Sequence, residues 1–295
     1  MYFSIDSENL KLLLALSEKL GEVNGMHFNR PERMQQKSYT VTAHKACLEL
    51  IEIKLSKDQV EKLSNRYIIK APANEVKASK KLLNNFSSLN EKSFTSLRDF
   101  NQVNNNLASY SLQNIAPPPL PKGVSDLFNS LKGHYVPTIL KATQFHYEML
   151  CLMPKNPAAI ELALYWQKLI LVNSNEVFRY LDYESNILKE KEKYLRFVRN
   201  ARPGKKADRF NRFMMGVLTN TVEDYLRKEK QSKATPDRIA LFIKNNKDES
   251  FSRQDYMRKF KFISAITASR DLRYAVEAGL FTKKGEKRFT RYRLA

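Results

Sequence analysis

The chain has 295 residues, with 51 Lys and Arg against 31 Asp and Glu for a net charge of +20. Its two cysteines, Cys47 and Cys151, are far apart and form no CxxC pair, which argues against a structural zinc site or a disulfide framework and fits a reducing compartment. Its eight glycines, at 21, 25, 123, 133, 204, 216, 279 and 285, leave no GxGxxG fingerprint, no GxxxxGK[ST] phosphate loop and no GxSxG elbow.

Scarce glycine with abundant Leu, Lys, Glu and Ala predicts a mainly α protein. Leu10, Leu13, Leu14, Leu16 and Leu20 recur at helical spacing, predicting an amphipathic helix over Ser7–Val23. Further helices are expected over Ser38–Ile53, Lys57–Ser64, Ala73–Phe86 and Ser93–Val103, the last capped by Ser93. The prolines near Ala116–Pro121 read Asn101–Lys122 as an extended loop, because proline fixes φ and lacks an amide donor. Helices resume at Val124–Leu131 and Pro137–Leu152, and the apolar run Ala158–Val172 reads as a buried central helix. That run is too short to cross a bilayer, and no leader pattern opens the chain, so a soluble cytoplasmic protein is expected. Asn175–Tyr183, Glu184–Asn200 and Asp208–Lys228 complete this region, with Glu229–Pro236 as a polar linker.

Residues 201–295 hold 24 Lys and Arg against 11 Asp and Glu, so +13 of the net charge lies in the last third. Such a footprint suits nucleic acid, or else a basic solvated surface. Three short helices are expected here: Pro236–Asn246, one that follows Ser252 and ends near Phe260, and Ala265–Ala278, capped by Ser264 and stopped by Gly279. Ala268, Leu272 and Ala275 share the packing face of the third. Leu280–Thr282, a turn at Lys283–Glu286 and the alternating Lys287–Leu294 predict a hairpin. Three helices and a hairpin make a winged helix-turn-helix, whose third helix enters the major groove. The candidate nucleic-acid contacts are Thr267, Ser269, Arg270 and Arg273 on that helix, and Lys283, Lys284, Lys287, Arg288 and Arg291 on the wing. Arg270 has the competing option of pairing with Asp271. The run from Ile266 to Leu272 and Glu277–Leu280 resembles the "TAsRdL…eaGlL" pattern of bacterial winged helices.

From Ser7 to about Glu229 the order of features resembles the Fic family. Leu13–Met26 is similar to the N-terminal helix and turn of longer members. Ala116–Pro119 followed by Val124–Leu131 resembles "PPPxxVxxLMxdL", Lys141–Tyr147 resembles the helix leading into the catalytic motif, and Asp208–Leu226 resembles "wxxFfLegv". The resemblance implies a helical core at 91–230 after an N-terminal helical region at 1–90, with the winged helix at 236–295. It also implies, in active members, transfer of AMP to a protein hydroxyl.

The signature HPFx[DE]GNGRxxR is where the sequence departs. The matching segment is Met153, Pro154, Lys155, Asn156 and Pro157, with Met153 in place of the base and only Pro154 kept. A thioether accepts no proton at neutral pH, the acidic metal ligand is lost, and neither the glycines nor the arginine appear. No glycine lies between Gly133 and Gly204. His146, seven residues before Met153, reads as a packed or hydrogen-bonded helix residue, and Glu161 and Glu148 as solvated or capping carboxylates. Thr42–Ser56 resembles the setting of the family's inhibitory helix, but the Glu-Gly-Asn core is missing. The resulting expectation is a catalytically degenerate Fic-like protein that regulates by binding double-stranded DNA, with no cofactor, no metal and no membrane partner. The alternatives are a Fic-type adenylyltransferase with a divergent site, and a module that holds a protein target or peptide in the Fic-like groove. The oligomeric state stays open, a homodimer being common for helix-turn-helix proteins.

Overall fold

A computed structural model describes residues 6–25, 33–89, 92–117, 121–132, 136–154, 156, 158–204, 206–233, 235–246, 249–260, 263–286 and 290–295. The chain divides into two compact units, Met1–Glu223 and Asp224–Ala295.

Every regular element among the described residues of the first unit is a helix. It begins with α1 (Ser7–Gly25), α2 (Arg33–Leu50), α3 (Lys57–Ser64) and α4 (Ala73–Ser87). On α1, Leu13, Leu16, Leu20 and Val23 are buried while Leu10 and Leu14 face solvent, so the leucine stripe is narrower than its spacing suggested. α2 stops at Leu50, where Glu52 takes a left-handed φ of 68° and the Ile53 amide turns back to the Leu48 carbonyl at 2.8 Å. Ser56 caps α3 in a reciprocal box with Gln59.

Three further expectations fail in this unit. α5 spans Leu97–Asn104 and is capped by Ser96, while the Ser93 amide donates to Asp99. The stretch expected to be an extended loop contains α6 (Ala108–Gln113). The described backbone that follows is irregular from Asn114, because the prolines that break helix lie further on. The two helices expected over 175–200 are interrupted. A short 3-10 turn (Glu176–Arg179) precedes α10 (Tyr183–Lys189) and α11 (Lys191–Asn200), with Asp182 capping α10 through the Ser185 amide.

α7 (Val124–Leu131), α8 (Thr138–Leu152) and α9 (Ala158–Ser174) form the centre. α9 buries nearly every side chain from Ala158 to Val172, as its unbroken apolar run predicted. Trp166 on α9 lies edge-on to Phe100 and Phe128 at ring distances of 5.0 and 5.4 Å, so α5, α7 and α9 share one aromatic core. α12 (Asp208–Lys233) runs five residues beyond the expected end, and the supposed polar linker is helical there. Good helix formers at 227–233 suffice for that extension once the helix is nucleated upstream. Among the described residues, no helix is long and apolar enough to cross a membrane.

The second unit carries the end of α12 from Asp224, then α13 (Thr235–Asn245), α14 (Arg253–Lys259), α15 (Ala265–Glu277), β1 (Phe281–Lys284) and β2 (Arg291–Leu294). The strands pair antiparallel, Phe281 opposite Leu294 and Lys284 opposite Arg291. Lys283 and Lys284, expected in the turn, belong to β1. The core gathers Ile239, Phe242, Phe251, Tyr256, Phe260, Ala268, Leu272, Ala275 and Phe281. Phe242 and Phe251 meet at 4.5 Å between ring centres, and Tyr292 of β2 stacks on Phe251 at 5.8 Å. Gly279 ends α15 at φ 68°. Its amide reaches the Val276 carbonyl at 3.1 Å and the Leu280 amide reaches Ala275 at 2.8 Å, which is a Schellman closure.

Candidate nucleic-acid interface

α15 has two faces because its residues repeat at 3.6 per turn. Ala268, Asp271, Leu272 and Ala275 are buried, and Ile266, Arg270 and Arg273, spaced four and three apart, stand on the opposite side. Ser264 starts the helix by accepting the Thr267 amide at 3.1 Å.

Arg270 and Arg273 do not pair with Asp271, and neither forms an ion pair with a described residue. Asp271 instead faces inward. It accepts Arg238 Nε at 2.6 Å and Nη2 at 2.5 Å, Thr235 Oγ1 at 2.7 Å and the Tyr256 hydroxyl at 3.1 Å. The carboxylate that the sequence offered to Arg270 is thus committed to the unit's interior.

The solvent face of α15 and the start of α14 enclose a groove of about 340 Å³ lined by Arg253, Ala265, Ile266, Ser269, Arg270 and Arg273. Ser269, Arg270 and Arg273 were expected at such a surface. Thr267 is held at the helix cap, where its hydroxyl lies 3.1 Å from that of Ser264, and it does not line the groove. Arg253 and Ile266 were missed. Arg253 donates to Ser269 Oγ at 3.0 Å, while the Ser269 hydroxyl donates to the Ala265 carbonyl at 2.9 Å, so the guanidinium is tied against α15. The readable signal was Arg253's place one residue after the α14 cap, Ser252.

On the hairpin, strand alternation puts Thr282, Lys284, Arg291 and Arg293 on one face, and Phe281, Lys283, Tyr292 and Leu294 on the other. Lys284 directly opposite Arg291 is a like-charge pair, unfavourable unless an anion lies across it. Arg291 also approaches Asp255 at 3.5 Å. The Ser252 amide and hydroxyl hold the Asp255 carboxyl below its ordinary range, with Arg258 and Arg291 adding to the effect. Arg293 was not singled out by sequence. Lys287 and Arg288 lie outside the described residues.

In the first unit, Met153 caps the end of α8. Its amide donates to the Met149 carbonyl at 3.1 Å, and its side chain is buried. Pro154 is exposed, and Asn156 caps α9 by accepting the Ala158 amide at 2.9 Å. Lys155 and Pro157 lie outside the described residues. His146 is fully buried between Gln167, which meets its Nδ1, and the Tyr194 hydroxyl, 2.9 Å from its Nε2. Burial lowers its pKa to about 3. Glu161 is buried too, and it is no solvated carboxylate. It accepts the Ala108 amide at 2.8 Å, the Ser109 amide at 2.9 Å and the Ser109 hydroxyl at 2.8 Å, capping α6 from a distance. Among the described residues, no group of three or more His, Cys, Asp and Glu is placed to hold a metal ion.

No family model matches the chain, and no curated protein matches it. Among solved structures it is similar to a Fic family protein from Desulfovibrio desulfuricans G20, determined at 2.70 Å. The TM-score is 0.71 at 19% identity, over 99% of this chain and 97% of that one. The chain has the fold of a Fic family protein.

Proposed function

We propose that this protein is a catalytically degenerate Fic-like regulator that binds double-stranded DNA through its C-terminal unit, acting as a winged helix-turn-helix. One observation carries the reading. Arg253, Arg270 and Arg273 surround a single groove on the solvent face of α15, and none forms an ion pair with a described residue. Cations left without counter-charges around a concave surface are what a phosphate backbone neutralises. In this reading α15 enters the major groove, and the face bearing Lys284, Arg291 and Arg293 lies along phosphates.

The loss of catalysis rests on chemistry at Met153, Pro154 and Asn156. AMP transfer by a Fic enzyme uses an imidazole base, an acidic ligand for Mg²⁺ and glycine amides at the phosphates. The residues at the matching positions do not fit such a metal–nucleotide pair, since a thioether, a proline and an amide supply neither base nor anionic ligand. His146 stands about two turns earlier on α8, and both its ring nitrogens are already engaged.

A salt titration of fluorescence anisotropy tests the DNA reading, using mixed-sequence duplexes and the full chain. Binding should weaken steeply as salt rises. Arg270→Ala with Arg273→Ala should lower the salt slope by about 2, close to 1 for each phosphate contact removed. An intact protein that binds no duplex at low salt would overturn the reading.

A further inference from the structure

Among the cations of the groove stands one branched apolar side chain. Ile266 is 74% exposed, whereas Leu241, Tyr274, Leu280 and Leu294 of the same unit lie at 40–41%. It occupies the second position of α15, one turn before Arg270 and on the same face, and it lines the groove with Arg253 and Arg273. A polyanion's backbone offers nothing to an isoleucine. The major groove does present one apolar group, the C5 methyl of thymine, and the first turn of a recognition helix is the part that reaches base edges.

We infer that Ile266 is a specificity-determining residue that packs on a thymine methyl while the neighbouring arginines hold phosphates. The inference rests on the DNA-binding reading and deepens it. Charge selects this occupant over a protein surface, because an apolar contact ringed by three guanidiniums needs a partner that is anionic around an apolar point. It also assigns the groove a division of labour: Arg253 is fixed by Ser269 and serves position, whereas Ile266 has no polar group to serve anything but the methyl.

The test uses the full chain and a duplex enriched from a randomised pool by repeated selection. Replacing its thymines one at a time with deoxyuridine removes only the methyl. At one position the wild-type affinity should fall about fourfold, the worth of one buried methyl-sized group. Ile266→Ala should bind the thymine and uracil duplexes equally and keep the wild-type salt slope, while Ile266→Val should keep the discrimination. The side chain is exposed, so neither substitution threatens the fold. Wild-type binding indifferent to every uracil, or an Ile266→Ala protein that still discriminates, would overturn the inference while leaving DNA binding in place. So would an Ile266→Ala effect confined to self-association in sedimentation. Wild-type protein that binds no duplex at all would overturn both readings.

Discussion

Arg238 on α13 and Asp271 on α15 form a two-point ion pair inside the C-terminal unit, with side chains 5% and 0% exposed. The Tyr256 hydroxyl of α14 joins the same carboxylate, so one polar centre ties all three helices. The bond to Asp271 also raises the pKa of the Arg238 guanidinium, keeping it charged. Asp271 follows Arg270 directly in sequence, so the pair fixes the rotation of α15 and with it the face presented to solvent. Asp271→Ala removes the carboxylate that faces a buried guanidinium and should cost about 3–5 kcal/mol. Hydrogen exchange read by mass spectrometry should show α13 to α15 losing protection. The single tryptophan, Trp166, lies in the first unit, and its fluorescence should be unchanged.

Glu161 works in a comparable way in the first unit. α6 has no side-chain cap of its own, since Leu107 precedes it, and the carboxylate from α9 takes its two leading amides. Burial pushes the Glu161 pKa up, and the Ala108 and Ser109 donors resist that rise. Glu161→Gln would set an amide NH₂ against one of those donors. The expected loss is about 1–3 kcal/mol in urea unfolding, with α6 exchanging faster than α8 or α9.

Two buried histidines set the behaviour in acid. Burial lowers His44 and His146 from 6.5 to about 3. Between these values the unfolded chain takes up protons that the folded chain refuses. Stability is therefore present above about 6.5 and lost as pH falls toward 3, by about 1.4 kcal/mol per pH unit for each histidine. The raised carboxyls of Glu161 and Glu184 have the opposite sign, favouring the fold in acid and losing that contribution as pH rises through their folded values. They are common to wild type and variant, so they cancel in the difference. Urea midpoints measured from pH 7 to 4 should show a shallower fall for His44→Leu with His146→Gln than for wild type. Parallel curves would mean that neither histidine is held neutral in the fold.

Much of this arrangement was legible in the residues. The α3 and α7 boundaries follow from Ser56 with Gln59 and from the apolar spacing of Val124, Leu127, Phe128 and Leu131. The end of α15 follows from Gly279, the one residue type that takes its φ without strain. Some of the failures have a cause that is not local in sequence. α6 is short, and its cap comes from a residue more than fifty positions away, which no local pattern announces. Asp271 next to Arg270 looked like a surface pair, and only the packing of Arg238 turns it inward. Ile266 carried no signal in sequence because an apolar residue on a helix ordinarily reads as core.

Met153→His tests the proposed loss of Fic chemistry. A histidine placed there would follow the last turn of α8 at a buried position, beside an exposed proline and an asparagine already capping α9. The base, the metal ligand and the phosphate-binding amides act as a unit in such a reaction, so replacing one does little without the rest. Incubation of Met153→His with labelled ATP, Mg²⁺ and cell lysate should give protein labelling no higher than wild type, with both at background. Labelling by either protein that disappears with His146→Ala would reverse the conclusion. It would mean that the buried imidazole leaves Gln167 and Tyr194 to serve as a base, and that the helical core retains a nucleotide site its sequence does not display.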